Sequence, residues 1–214
     1  SLVGSEMCIR DRTQAVLDGW KTMKRREIIS SSQYAGKNVA GYYVCKKTNV
    51  DTIGVCVYDE DERMIDGGQI YPNYKINEIV AIAQSYARAC DEYKELGNET
   101  KIIELHEDYA SIGWINKIFV KAELMPHHIR ITDVRVERLQ DISDEDCLRE
   151  GVYTVGFNEK SESIYSFICA YSKKNMGLYS SPREAFSALI DKVSGKGTWD
   201  SNPYVWVYEF ELIN

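Results

Sequence analysis

HIRITDVRVERL, residues 128–139, is the stretch whose reading decides the fold class. It alternates apolar and polar residues with the period of two of a half-buried strand, but the phase changes in the middle. Ile129 and Ile131 share one face, whereas Val134 and Val136 fall on the opposite parity. A bulge or sharp bend near Thr132 and Asp133 restores a single buried face, and such bends are how small barrels turn corners.

Towards the C terminus, Ser143 is placed to cap a short, acidic-started helix over 144–150, with Gly151 placed to stop it. Ser181, Pro182 and Glu184 combine a cap, a proline at the first helical position and a reaching carboxylate, and open a helix to about Val193. The chain closes on a long alternating strand over 204–213, with Trp206, Tyr208, Phe210 and Leu212 on one face. Towards the N terminus, residues 79–83 form an apolar run, while 85–96 stays open between helix and insertion. Two runs rich in β-branched and aromatic residues, 39–45 and 52–58, read as a hairpin whose polar connection holds Asn49 and Asp51. The acidic tract 59–62 and the turn signal Asp66, Gly67, Gly68 punctuate the chain after it. From Thr13, Ala15, Val16 and Trp20 share one side of a short helical stretch that Gly19 ends. Strands interspersed with a few short helices, without regular strand and helix alternation, make the fold class α+β and favour a small mixed or antiparallel barrel.

A chain of 214 residues buries a real core. Its 44% hydrophobic and 28% charged residues are ordinary for a globular protein, and no apolar run of about 18 residues offers a membrane span. The six cysteines, Cys8, Cys45, Cys56, Cys90, Cys147 and Cys169, are widely spaced with no C-x-x-C pair, so buried thiols in a reducing cytoplasm are expected. No metal or other cofactor is expected. His127 and His128 are adjacent and would point to opposite faces of a strand, and His106–Glu107 lacks a second histidine at position 110, where Ala110 stands. Gly195, Lys196, Gly197 and Thr198 resemble the end of a phosphate-binding loop, but they follow a helix and precede a strand, the reverse of that motif's context, and so read as a surface turn.

A formal net charge of −7 and a pI near 5.1 exclude a chain-wide electrostatic grip on nucleic acid. Any such contact must be local. Residues 19–26, GWKTMKRR, supply a candidate, because Lys21, Lys24, Arg25 and Arg26 place four cations in six positions. One reading is a solvated helix end whose cations offset the carbonyl dipole. The other is a surface for phosphates or base edges, with arginine suited to bidentate and lysine to point-charge contacts. Trp20 beside them could stack on a base or sit in the core. Arg130, Arg135 and Arg138 are weaker candidates, since strand parity sends some of them outward.

The same residues carry a resemblance. Residues 13–26, TQAVLDGWKTMKRR, resemble the opening of the ASCH domain family, whose pattern is Gly, any residue, Lys, Thr, any residue, Thr, Arg. Residues 125–151 and 181–210 are similar to the central strand and helix, and to the closing helix and strand, of bacteriophage and prophage members. The blocks lie in family order, and 31–116 matches less well and is expected to hold insertions. The resemblance implies one ASCH domain over 13–214, a PUA-like small β-barrel with flanking short helices, a cleft between barrel and helices, and RNA or a nucleotide as partner. It also implies an alternative, amide hydrolysis of N4-acetylcytidine-type nucleosides or ribonuclease activity, with Lys21 and Glu150 matching catalytic positions. The family's nucleophilic threonine is replaced by Lys24, and a lysine amine does not form and release the same ester intermediate, which favours binding over catalysis. A protein-interaction domain meeting an acidic partner is a further alternative. Residues 1–12, SLVGSEMCIRDR, resemble a translated sequencing adapter of the kind found at gene ends in metagenomic assemblies, and are expected to be non-native.

Overall fold

The bulge expected at Thr132 lies at the centre of the molecule. A computed structural model describes residues 6–7, 13–28, 33–46, 53–107, 111–167 and 177–213. The first elements are β1 (Glu6–Met7), α1 (Thr13–Leu17), β2 (Met23–Glu27), β3 (Gln33–Tyr34), β4 (Lys37–Asn38), β5 (Gly41–Lys46), β6 (Ile53–Tyr58), β7 (Met64–Ile70) and β8 (Ile79–Ile82). They are followed by α2 (Tyr86–Glu95), α3 (Glu99–Glu107), β9 (His128–Arg138), α4 (Asp144–Arg149), β10 (Val152–Phe157), β11 (Ser163–Phe167), α5 (Pro182–Ser194), α6 (Thr198–Ser201) and β12 (Tyr204–Ile213). Of residues 1–12, all but Glu6 and Met7 lie outside the described residues.

Five strands form the central sheet in the order β1-β8-β9-β12-β2, with β1 parallel to β8 and the other pairs antiparallel. In the β9–β12 ladder, Glu209 opposes Asp133 and Phe210 opposes Ile131, so Thr132 is the extra residue. The bulge brings Val134 into register with Ile129 and Ile131, and all three are buried.

Both faces of this sheet are covered. On one face Trp206, Tyr208 and Phe210 pack with Ile129, Ile131 and Val134, and Val55 of the antiparallel sheet β5-β6-β7 joins them. On the other face Val205, Val207 and Met23 meet Cys147 of α4 and Phe186, Leu189 and Ile190 of α5. A third cluster packs Ala81 and Ala83 against Tyr86, Cys90, Leu105 and Met125. Alternate residues of single strands thus feed separate clusters, as the period of a strand requires.

The fold is α+β with mainly antiparallel sheets. Among the described residues no sheet closes on itself. Among the described residues β2 is an edge strand paired with β12, and it lines the same cleft as Ile70 at the end of β7.

The expected hairpin is β5–β6, in register from Gly41 opposite Tyr58 to Lys46 opposite Ile53, and its connection lies outside the described residues. Residues 85–96 resolve as helix α2, whose first turn is capped by Ser85 Oγ accepting from the Arg88 amide at 3.4 Å. Ser143 caps α4 at 3.1 Å, and Gly151 ends it at φ 97°. Ser181 caps α5, and the Glu184 carboxylate reaches back to the Ser180 amide.

Two expectations are corrected. Asp66, Gly67 and Gly68 lie inside β7 and do not form a turn. The chain reverses earlier, where Asp59 Oδ1 accepts from the amides of Asp61 and Arg63. The glycine at 68 serves a close approach, since a Cβ there would lie 2.6 Å from the Ile65 carbonyl oxygen. Trp20 is not on the buried side of α1. Gly19, at φ 75°, turns the chain first and leaves Trp20 57% exposed.

Cys56, Cys90 and Cys147 are buried. Burial, with Asp144 nearby, pushes the Cys147 thiol up to about 12. No helix among the described residues is long and apolar enough to cross a membrane.

Candidate nucleic-acid interface

The basic stretch occupies a connector and an edge strand instead of a helix end. After Gly19, the amides of Trp20 and Lys21 both donate to the Ala15 carbonyl. Lys21 then forms an isolated antiparallel bridge with Glu150, the C-cap residue of α4. The Thr22 amide donates to the Arg149 carbonyl, and the Thr22 carbonyl accepts from the Phe210 amide, which delivers the chain into the β2–β12 ladder.

Strand parity divides the cations of β2. Arg25 is opposite Val207 and, like Met23, projects to the helix-covered face. Lys24 and Arg26 are opposite Tyr208 and Trp206, on the other face. Lys21, Arg25 and Glu150 are all buried. Lys21 Nζ donates to Glu150 Oε2 at 2.6 Å and to the Glu150 carbonyl at 2.8 Å. Arg25 reaches the other oxygen of Glu150 at 3.4 Å, Asp146 at 3.0 Å and Glu137 at 3.1 Å. Its Nε has no hydrogen-bond partner among the described residues.

The pairing extends across the sheet. Arg135 binds Glu137 and Glu209, and also Asp133 at 3.1 Å and Asp146 at 3.2 Å. Burial opposes its charge, but the hydrogen bonds to Glu137 and Glu209 hold its pKa above the ordinary value. Arg149 donates to Glu209 at 2.7 Å and to the Thr22 hydroxyl at 3.2 Å. The first of these bonds holds the Glu209 carboxyl below its usual range.

Beside this network lies a cleft of about 660 Å³. Lys21, Lys24, Arg25, Arg26, Glu27 and Glu150 line it, with Trp206 and Tyr71 to one side and Phe186, Leu189, Ile190 and Val193 of α5 to the other. Lys24 is partly buried and Arg26 exposed. Burial raises the pKa of the Glu27 carboxyl.

No family model, curated protein or solved structure matches the chain.

The structure brings Lys21, Lys24, Arg25, Arg26 and Glu150 to one cleft and leaves Trp20 outside it, beside a separate hollow. Arg130 is exposed and paired with Glu211, and the Arg138 guanidinium lies 3.8 Å from the centroid of the Tyr204 ring. Arg135 is a hub of the ion network. His127 Nε2 lies 2.8 Å from Glu92, while burial and the neighbouring His127 lower the pKa of His128. His106 lies 3.8 Å from the Cys90 sulfur. Among the described residues no group of three His, Cys, Asp or Glu side chains is arranged to hold a metal ion. The loop 195–198 runs into the short helix α6 before the closing strand, and its Gly197 and Trp199 amides donate to Asp191.

Glu137, Asp146 and Glu209 are site residues that the sequence reading missed. One signal was present in it: Asp133, Arg135 and Glu137 recur at every second position after the bulge, opposite in parity to Val134 and Val136. Three charges on one partly covered face of a central strand favour mutual pairing.

Proposed function

We propose that this chain is an RNA- or nucleotide-binding domain of the ASCH type, taking an anionic ligand in the cleft along β2. The observation that carries the reading is the lining of the cleft, where four cations of an acidic protein stand against two carboxylates, Glu27 and Glu150. Their roles differ. Lys21 and Arg25 are committed to buried carboxylates, so they shape the wall and hold Glu150 in place. Lys24 and Arg26 project on the face of Trp206 and Tyr208 and make the phosphate contacts.

This reading takes the five-stranded and three-stranded sheets as two parts of a PUA-like barrel. The core they share supports it. So do the three resembling blocks, which bring Lys21 and β2, then Glu150 at the end of α4, then α5 and Trp206 of β12 to the lining of the cleft, while Ile70, Tyr71 and Asn73 come from outside them. The resemblance of the later blocks supports a bacteriophage or prophage-type member.

The test is binding of a short single-stranded RNA across a salt series. Affinity should fall steeply as salt rises, and Lys24→Ala with Arg26→Ala should flatten the slope by about 1.4, at about 0.7 per lost phosphate contact on a single strand. Salt-insensitive binding, or binding untouched by the double substitution, removes the reading.

A second reading rests on the 2.6 Å Lys21–Glu150 pair inside the cleft, which matches amidohydrolase positions in the resemblance. Glu150 has one oxygen on Lys21 and the other on Arg25, so a water activated there would share a carboxylate already engaged by two cations. Position 24 supplies an amine instead of a nucleophilic hydroxyl. The chain incubated with N4-acetylcytidine should therefore release no cytidine; release that Glu150→Gln abolishes, at a temperature where the variant is still folded by its melting curve, would favour hydrolysis instead.

A further inference from the structure

One wall of the cleft comes from a segment far from the basic stretch in sequence. Ile70, Tyr71 and Asn73 line it, and they lie within 31–116, outside the three resembling blocks. Tyr71 is 41% exposed and Asn73 is exposed as well, although Tyr74 beside them is buried.

The backbone that carries these two side chains is held in place. The Asn73 amide donates to the Tyr208 hydroxyl at 3.0 Å, and the Tyr74 ring meets the Tyr208 ring edge-on with centroids 5.3 Å apart. The Tyr71 ring lies over Gly54 of β6, where a Cβ would come 3.4 Å from it. An aromatic ring packed against a strand, with part of it open to a cleft, is a platform for stacking that has little freedom to lose on binding.

The same wall reaches the cations. Tyr208 is the cross-strand partner of Lys24, and Trp206 is that of Arg26. Burial raises the pKa of the Tyr208 phenol, while the Asn73 amide and the charge of Arg26 act in the opposite direction. The guanidinium is therefore within electrostatic reach of the hydroxyl that holds Asn73. Tyr71, Asn73, Lys24 and Arg26 all line one cleft, and all four stand on the Trp206 and Tyr208 side of β2.

We infer that Tyr71 and Asn73 form a base subsite: the nucleobase stacks on the Tyr71 ring, the Asn73 carboxamide hydrogen-bonds its edge, and the phosphate of the same nucleotide meets Lys24 and Arg26. This rests on the proposed cleft reading and deepens it, because the ligand becomes a nucleotide held through its base and not any phosphorylated sugar. Stacking alone accepts every base. A carboxamide supplies one acceptor and one donating amine, so it favours a base edge with a donor beside an acceptor, as adenine presents with N6 and N7.

The experiment titrates the four ribonucleoside 5′-monophosphates and ribose 5-phosphate against the native chain, Tyr71→Leu, Tyr71→Phe, Asn73→Ala and the double substitution Lys24→Ala with Arg26→Ala. The native chain should bind its best nucleotide more tightly than ribose 5-phosphate. Tyr71→Leu keeps apolar bulk over Gly54 without an aromatic face, and should shrink that preference by roughly ten- to a hundred-fold, the range for one base–aromatic stack. Tyr71→Phe should keep most of it. Asn73→Ala should shrink it by about two- to ten-fold, the worth of a hydrogen bond. The double substitution should weaken nucleotide and sugar phosphate alike. A native chain with no preference for any nucleotide, but with binding that the double substitution weakens, overturns the subsite and leaves the cleft reading intact. A preference unchanged in Tyr71→Leu, or lost equally in Tyr71→Phe, also overturns it. If the native chain binds neither nucleotide nor sugar phosphate, the cleft reading and the subsite both fall. Thermal melts of the variants guard against misfolding, and Tyr71→Phe carries the comparison with Asn73→Ala if Tyr71→Leu melts early, since a retained preference in Asn73→Ala equal to that of the native chain overturns the contact to the base edge.

Discussion

Lys21, Arg25 and Glu150 show how charges in one short basic stretch take on different work. Two cations share one buried carboxylate, and the side chains of Lys21 and Glu150 are each about 5% exposed. Taking such groups out of water is expensive, so removing one partner leaves an uncompensated charge that the fold cannot solvate. Glu150→Gln should therefore lower unfolding free energy by about 3–5 kcal/mol, measured by urea denaturation. Replacing both members of the pair with apolar groups, Lys21→Met and Glu150→Leu, should lose less than the single change. A single substitution that leaves stability within about 0.5 kcal/mol would show that the pair is solvated. None of this was legible in the run of cations itself. Arg25 is an arginine between two other cations in sequence, and its carboxylate partners lie 112 to 125 residues away. Only the fold assigns its neighbours.

At the scale of elements, the bulge at Thr132 does most to position the site. It lets Ile129, Ile131 and Val134 share one core while Asp133, Arg135 and Glu137 face the helix-covered side with Arg25 and Asp146. Deleting Thr132 removes the extra residue and leaves Ile129, Ile131, Val134 and Val136 in strict alternation on the core face, so β9 and β12 pair without an interruption. The expected outcome is a cooperative thermal melt for the deletion, as for Thr132→Ala, which keeps the residue count. Loss of cooperative unfolding in the deletion alone would mean that the core needs the local bend of the bulge and not only its parity. Here the sequence was a good guide, because a change of phase in an alternating pattern has a single local remedy. The caps at Ser143 and Ser181 were legible for a similar reason, as each is a contact within one helical turn. The Asp66, Gly67, Gly68 signal misled because glycine serves close backbone approach as well as turns, and composition does not separate the two uses.

At the scale of the whole molecule, an acidic protein with a local basic wall should bind an anionic polymer weakly at a distance and firmly at one place. The overall class and the closing strand could be read from alternation. The edge position of β2 could not, since strand order follows from pairings between distant segments. The cleft runs along β2, an edge strand among the described residues, whose two faces divide the cations between buried ion pairs and the face of Trp206 and Tyr208. The most direct test of the central claim is the slope of single-stranded RNA affinity against salt, measured for the native chain and for Lys24→Ala with Arg26→Ala. The account predicts a steep fall for the native chain and a slope flatter by about 1.4 for the variant. Equal slopes for the two, or native binding indifferent to salt, would contradict it.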